Sequence, residues 1–222
     1  EFRRVLFRSK QIEYFENKIS HLTEINSKLN EIIDKPSETL DNKHIQLLSN
    51  VDVTGEIDMV IANRAEGIGL FRTEQVIEEL GEFPDENEQT RIYTNLANRI
   101  YPDSVTIRVF DIGGDKVKQL QLKEQNPFLG LRGIRFLLEN QSLFKTQIRA
   151  ILKASIHKNI LIMIPMVSTI QEINQSKEII ESCKLELMKE NIPFDKEIKI
   201  GIMIEVPDRK STRLNSSHGI IW

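Results

Sequence analysis

Between Lys10 and Asp34, apolar residues recur at three- and four-residue steps with charged residues between them: Ile12, Phe15, Ile19, Leu22, Ile25, Leu29 and Ile32. That spacing predicts a helix with a narrow apolar stripe, as suits a linker packing on a neighbour. Pro36 stops it, and Pro36–Lys43 reads as a polar loop. From there the period alternates. Ile45–Asn50 is a short apolar run, and Val53–Arg64 has helical spacing at Ile57, Val60 and Ile61. Gly67–Arg72 reads as a strand ending in a charge, Leu80–Asn87 as loop, and Glu88–Ile100 as helix through Ile92, Leu96 and Ile100. Val105–Phe110 is the third strand; helical segments follow at about 130–139 and 142–157.

Leu161–Val167 (LIMIPMV) is a continuous apolar run, as expected of a strand covered on both faces, with Pro165 interrupting its ladder near the end. Ser168 and Thr169 each precede an amide or acid by three residues, a capping-box signal for a helix carrying Ile173, Ile180 and Leu187 one heptad apart. Ile198–Glu205 is the fifth strand. Alternation of strand and helix without hairpin turns predicts an α/β fold with a parallel sheet. Two architectures satisfy it: a (βα)8 barrel cut short, or an open doubly wound sheet. Five strands in about 160 residues extrapolate to eight in about 250, the usual barrel size.

Composition narrows the function classes. The 222 residues are 40% apolar and 28% charged, with a net charge of −3. No apolar stretch approaches the ~18 residues a membrane span needs, and the charge argues against nucleic acid. Cys183 is the single cysteine, which rules out a disulfide framework or multi-cysteine metal site and points to a reducing, cytoplasmic setting. The two ends stand apart. Residues 1–9 (EFRRVLFRS) and 208–218 (DRKSTRLNSSH) back-translate to words of which the second begins as the reverse complement of the first. Both therefore read as a sequencing adapter and are set aside from fold reasoning. The division is then 1–9 adapter, 10–36 linker helix, 37–207 partial barrel and 208–222 adapter. Without the ends, 24 basic residues face 31 acidic ones, a net of −7.

The candidate chemistry lies where charges interrupt or end the strands. Val105–Lys116 (VTIRVFDIGGDK) carries Arg108 inside an apolar run, then Asp111, Gly113-Gly114 and the couple Asp115 and Lys116. A guanidinium in a buried strand requires an anionic partner. Arg72 ends the second strand and is followed by Thr73 and Glu74; Glu205 ends the fifth; the Asn126-Pro127-Phe128 turn leads to Arg132 on the next helix. In parallel α/β folds the C-terminal strand ends share one face, where ligands bind. Arginines converging there suit phosphate or carboxylate, and an acid beside a phosphate suits Mg2+. Each residue also has a plain structural reading. One arginine at a strand end ordinarily pairs with a loop acid, Glu205 is equally placed to partner Arg72 or Arg108, and a Gly-Gly pair is ordinarily a turn. Cys183 falls on an apolar helix stripe and reads as core, while His21 and His44 sit in polar surroundings and His157 closes a helix.

Five stretches in this order resemble the phosphoenolpyruvate-utilising enzymes, and among them the phosphoenolpyruvate–protein phosphotransferases. They are Ala65–Gln75 (AEGIGLFRTEQ), Arg108–Val117 (RVFDIGGDKV), Asn126–Phe136 (NPFLGLRGIRF), Ile162–Ile170 (IMIPMVSTI) and Phe194–Pro207 (FDKEIKIGIMIEVP). The resemblance implies a truncated (βα)8 TIM barrel, about five of eight strands, preceded by a linker helix. It implies that Arg72 and Arg108 contact the phosphate of phosphoenolpyruvate, that Arg132 supports the same pocket, and that Glu205 is a Mg2+ ligand. It further implies a cytoplasmic enzyme, homodimeric through the barrel, that serves sugar uptake. Such an enzyme passes the phosphoryl group to a histidine on another domain and then to a small phosphocarrier protein. None of the four histidines has the Gly-Gly-x-x-Ser/Thr-His context of that phosphohistidine. That domain is expected before Lys10, and the catalytic cysteine and second metal ligand beyond Pro207, so no catalytic residue is expected in the chain and the fragment itself should be inactive. Pyruvate phosphate dikinase and phosphoenolpyruvate synthase share the barrel and are the alternative, as is a non-catalytic barrel module; the DIGGDK loop favours the phosphotransferases.

Overall fold

A computed structural model describes residues 2–80, 83–113, 130–206 and 219–221. The chain divides into two units, 1–46 and 47–222. The first is the helix α1 (Phe2–Asn30), a turn, and a polar loop closed by a bridge between Glu38 and His44. The helix is the expected one, but it starts at Phe2, inside the stretch set aside as adapter.

The second unit holds β1 (Ser49–Val51), a 3-10 turn at Thr54–Glu56, α2 (Ile57–Ala62), β2 (Gly67–Arg72), α3 (Glu74–Leu80) and α4 (Glu86–Ile100). It continues with β3 (Ser104–Arg108), α5 (Ile134–Glu139), α6 (Gln141–Ala154) and a 3-10 turn at Ser155–His157. The last elements are β4 (Ile160–Ile164), α7 (Ile170–Lys189), β5 (Ile200–Ile204) and β6 (Gly219–Ile221). The sheet order is β1-β2-β3-β4-β5-β6. The first five strands are parallel, each beside its sequence neighbour. A doubly wound sheet reverses its strand order at a switch point, and this one never does. Winding in one direction is the path of a (βα) barrel, here as an unclosed arc. β6 pairs antiparallel with β5 and comes from the tail set aside from fold reasoning. Its Ile220 and Ile221 satisfy an edge whose N–H and C=O groups would otherwise be unpaired.

Side-chain alternation fixes which face does what. Phe71 of β2 meets Tyr93 of α4 edge to face at 6.4 Å, so its strand neighbour Arg72 points to the opposite face, away from the helices. α4 buries Gln89, Tyr93, Leu96, Ala97 and Ile100, the stripe of an amphipathic helix, and is capped by Asp85, which accepts from Glu88 N–H at 2.8 Å. α6 buries Phe144, Ile148, Ile151 and Leu152 in the same way. The capping box ahead of α7 forms as expected: Thr169 accepts from Glu172 N–H at 3.2 Å, and the Glu172 carboxylate accepts from Thr169 N–H at 2.9 Å. In α7, Ile180 and Leu187 are buried and Ile173 only partly; Ser176, Ile179 and Cys183 complete the stripe. Burial pushes the Cys183 thiol up to about 11, in keeping with a core residue.

Several expectations change. β1 is Ser49–Val51 and overlaps the expected run Ile45–Asn50 only at its end, and α4 begins at Glu86, inside the stretch read as loop. β3 ends at Arg108 and not at Phe110, so Arg108 is the last ladder residue; Val109 and Phe110 continue as buried, non-strand chain. Glu74 is the first residue of α3, a helix the apolar pattern did not announce because seven residues give barely two turns. Arg132 precedes α5, in an antiparallel bridge to Gly113, and is not on the helix. Gly114, Asp115, Lys116 and the Asn126–Phe128 turn lie outside the described residues.

Candidate functional site

Register brings the two strand-end arginines together. Arg72 and Arg108 are paired across β2 and β3, so their side chains leave the same face of the sheet from adjacent strands. Arg108 pairs in turn with Met163 of β4, and Met163 with Gly201 of β5. The Arg108 Nη1 atom reaches across to Met203 Sδ at 4.0 Å, onto the face of β5 that also carries residue 205 by alternation.

Each arginine has a carboxylate partner. Arg72, with 44% of its side chain exposed, holds Asp52 Oδ2 at 3.1 Å. Arg108 is enclosed, at 12%, and donates from Nη2 to Glu74 Oε2 at 3.2 Å, with Asp111 Oδ2 at 3.7 Å from Nη1. Arg132 holds Asp111 with both prongs, Nε to Oδ1 at 3.0 Å and Nη2 to Oδ2 at 3.1 Å. Such paired bonds fix a guanidinium plane as well as its position. Gly133 makes the approach possible. Its φ of +55° with ψ of −130° is a conformation L side chains rarely adopt, and a Cβ there would sit 2.9 Å from Met166 and 3.1 Å from Asp111 Oδ1.

Glu205 follows β5, and its Oε1 accepts from Met166 N–H at 2.7 Å. Met166 is itself held at a φ of +59°, so this bond secures a turn that a non-glycine residue adopts at a cost. No group of three acid, histidine or cysteine side chains able to cage a metal ion occurs among the described residues. Glu205 Oε2 has no partner among them. One free carboxylate oxygen fits Mg2+ shared with a substrate's oxygens, since that ion keeps several waters and takes one or two carboxylates.

Beneath the arginines lies a buried polar chain that the sequence pattern did not single out. Gln147 of α6 donates from Nε2 to Thr73 Oγ1 and to Tyr93 Oη, both at 3.2 Å, and its Oε1 accepts from Phe110 N–H at 3.0 Å. Thr73 donates to the Arg108 carbonyl at 2.9 Å, and Tyr93 to Gln89 Oε1 at 3.1 Å. Gln89 then donates to the Pro84 carbonyl at 2.8 Å. Every member gives and receives, so the low-dielectric interior strengthens the chain instead of penalising it. Burial pushes the Tyr93 phenol well above its ordinary range, keeping it a neutral donor. The signal available in sequence was Thr73 beside Arg72; the two glutamines on apolar helix faces look like interruptions until the fold gives them partners.

A singly wound β/α sheet with arginines and acids gathered at its C-terminal strand ends defines a barrel-type protein. Residues 26–212 match the family model described as PEP-utilising enzyme, PEP-binding domain, and the chain belongs to that family. The phosphoenolpyruvate-protein phosphotransferase of Mycoplasma capricolum is 41% identical over 199 residues, which is 88% of this chain and 34% of that protein. The protein of the same name from Bacillus subtilis is 39% identical over 178 residues, 79% of this chain and 31% of that protein. The multiphosphoryl transfer protein 2 of Escherichia coli is 41% identical over 177 residues, 79% of this chain and 21% of that protein. The chain thus spans about a third of the length of the first of these relatives. No helix among the described residues is long and apolar enough to cross a membrane.

Proposed function

We propose that this chain supplies the substrate-binding part of a Mg2+-dependent phosphoenolpyruvate–protein phosphotransferase. In that reading Arg72 and Arg108 bind the phosphate, Arg132 supports it from the Asp111 side, and Glu205 is one metal ligand. The observation that carries it is the register pairing of Arg72 with Arg108 on the strand face opposite the helices. The charge balance supports the ion. Arg72, Arg108 and Arg132 are matched by Asp52, Glu74 and Asp111, and Glu205 adds a further carboxylate at the same mouth. A phosphate entering there meets no surplus of positive charge unless a divalent cation accompanies it.

When bound, Mg2+ would neutralise charge on the phosphoryl oxygens. The chain's own residues orient the anion: two forks from adjacent strands fix the phosphate, and the buried Thr73–Gln147 chain holds the backbone of Arg108 in place. The acceptor histidine, the phosphocarrier partner, the homodimer, the cytoplasmic location and the role in sugar uptake belong to this proposal as properties of the whole protein. The test is phosphoryl transfer from phosphoenolpyruvate to a phosphocarrier protein by the full-length protein with Mg2+. Transfer only to pyrophosphate and AMP would establish the dikinase reading instead.

A further inference from the structure

The inference concerns Glu74 and deepens the proposed reading, since it rests on Arg108 meeting the substrate phosphate. Glu74 opens α3 two residues after Arg72, and its side chain is 11% exposed. Its two oxygens do different jobs. Oε2 takes Arg108 Nη2 at 3.2 Å, and Oε1 takes the backbone N–H of Asp111. One carboxylate therefore ties a guanidinium on β3 to the chain just beyond it, where Asp111 grips Arg132 with both oxygens. A residue that only neutralised Arg108 would have no need of the second bond.

The free corner of Arg108 shows what this arrangement leaves for a ligand. Among the described residues Nε has no hydrogen-bond partner, and Nη1 has no oxygen within hydrogen-bonding distance. The neighbours of Nη1 are Met203 Sδ at 4.0 Å and Asp111 Oδ2 at 3.7 Å. Glu74 thus anchors the guanidinium by Nη2 and leaves Nη1 on the β5 side, where Glu205 follows Met203 by two residues.

We propose that Glu74 is the positioning residue of the site: it sets the guanidinium of Arg108, and through the Asp111 N–H the fork of Arg132, for one phosphate. Two effects oppose each other when Glu74 is neutralised. Removing a negative charge beside Arg108 favours an incoming anion, while releasing Nη2 lets the side chain turn away from it. Preorganisation decides the sign, because an enclosed arginine that must be reoriented gives up what a prepaid geometry supplies.

The experiment uses the full-length protein with Glu74→Gln, Arg108→Ala and the double variant, measuring KM for phosphoenolpyruvate, kcat and the thermal midpoint. Glu74→Gln keeps the size of the side chain and an acceptor for the Asp111 N–H. It is expected to raise KM by about tenfold or more, the worth of a charged hydrogen bond, with a smaller change in kcat and a midpoint close to the parent's. Glu74→Asp is expected to recover part of the loss. In the double variant Glu74→Gln should add little to Arg108→Ala, because a residue that acts through Arg108 falls silent without it. A lowered KM in Glu74→Gln would make the carboxylate a competitor of the phosphate and overturn the proposal. So would additive losses, or a fall in thermal midpoint with KM unchanged. Normal activity of Arg108→Ala would instead remove the phosphate-binding reading itself, and this inference with it.

Discussion

Replacing Gln147 by Met tests whether the buried polar chain under the arginines holds the unit together. The two side chains are similar in length and volume, so no cavity opens. The Phe110 N–H, on a fully buried residue, loses its acceptor at 3.0 Å. That stranded donor costs about 1–3 kcal/mol. Thr73 and Tyr93 keep their own acceptors, the Arg108 carbonyl and Gln89, but each loses the donor that reached it from Gln147. These two lost bonds bring the expected total to about 2–6 kcal/mol. Urea unfolding of the parent and variant chains reads it as a lower midpoint at unchanged slope. In a cycle with Tyr93→Phe, the pair should cost less than the sum, since the phenol that Gln147→Met leaves without a donor is already gone. A change below about 0.5 kcal/mol, the range of an ordinary surface substitution, would refute the claim that this chain is a structural node.

Gly133→Ala should destabilise by about 1–3 kcal/mol from backbone strain alone. A further cost comes from the close approach to Met166, and denaturant midpoints check both. The charge cluster joining α4, α6 and α7 carries a pH dependence. Burial raises the Glu86 carboxyl, but hydrogen bonds from Arg149 and Lys153 outweigh it and hold the group below its usual 4.5. Its contribution is therefore present above that value and lost as the pH falls through the lowered one, so Glu86→Gln should flatten the acid limb of stability against pH. Cys183, its thiol pushed up to about 11 by burial, should resist a thiol reagent at pH 8 in the native chain and react fully in denaturant.

β2 to β5 were legible because buried parallel strands are written as continuous apolar runs, whereas β1 lies later than its expected run and β6 falls in the tail that was set aside. β2 matches its expected bounds, and β4 stops at Ile164, just before Pro165. Charges at strand ends were legible for the same reason: Arg72, Arg108 and Glu205 break apolar runs. The partners were not. Asp52 carried no signal, and Glu74 and Asp111 stood out only as acids beside the strand ends, because pairing across 20 to 37 residues depends on sheet register and not on local spacing. α3 was too short to show a period, and Arg132 looked helical because the Gly133 turn that separates it from α5 leaves no apolar signature. The order of strands, which decided between an arc of a barrel and a doubly wound sheet, is a property of the fold that alternation by itself left open.

The central claim is that the paired arginines at the strand ends meet the phosphate of phosphoenolpyruvate. Calorimetric titration of phosphoenolpyruvate with Mg2+ into the full-length protein, with and without Arg108→Ala, tests it most directly. A loss of affinity of tenfold or more with the fold intact is the predicted result; equal affinity in the two proteins would contradict it.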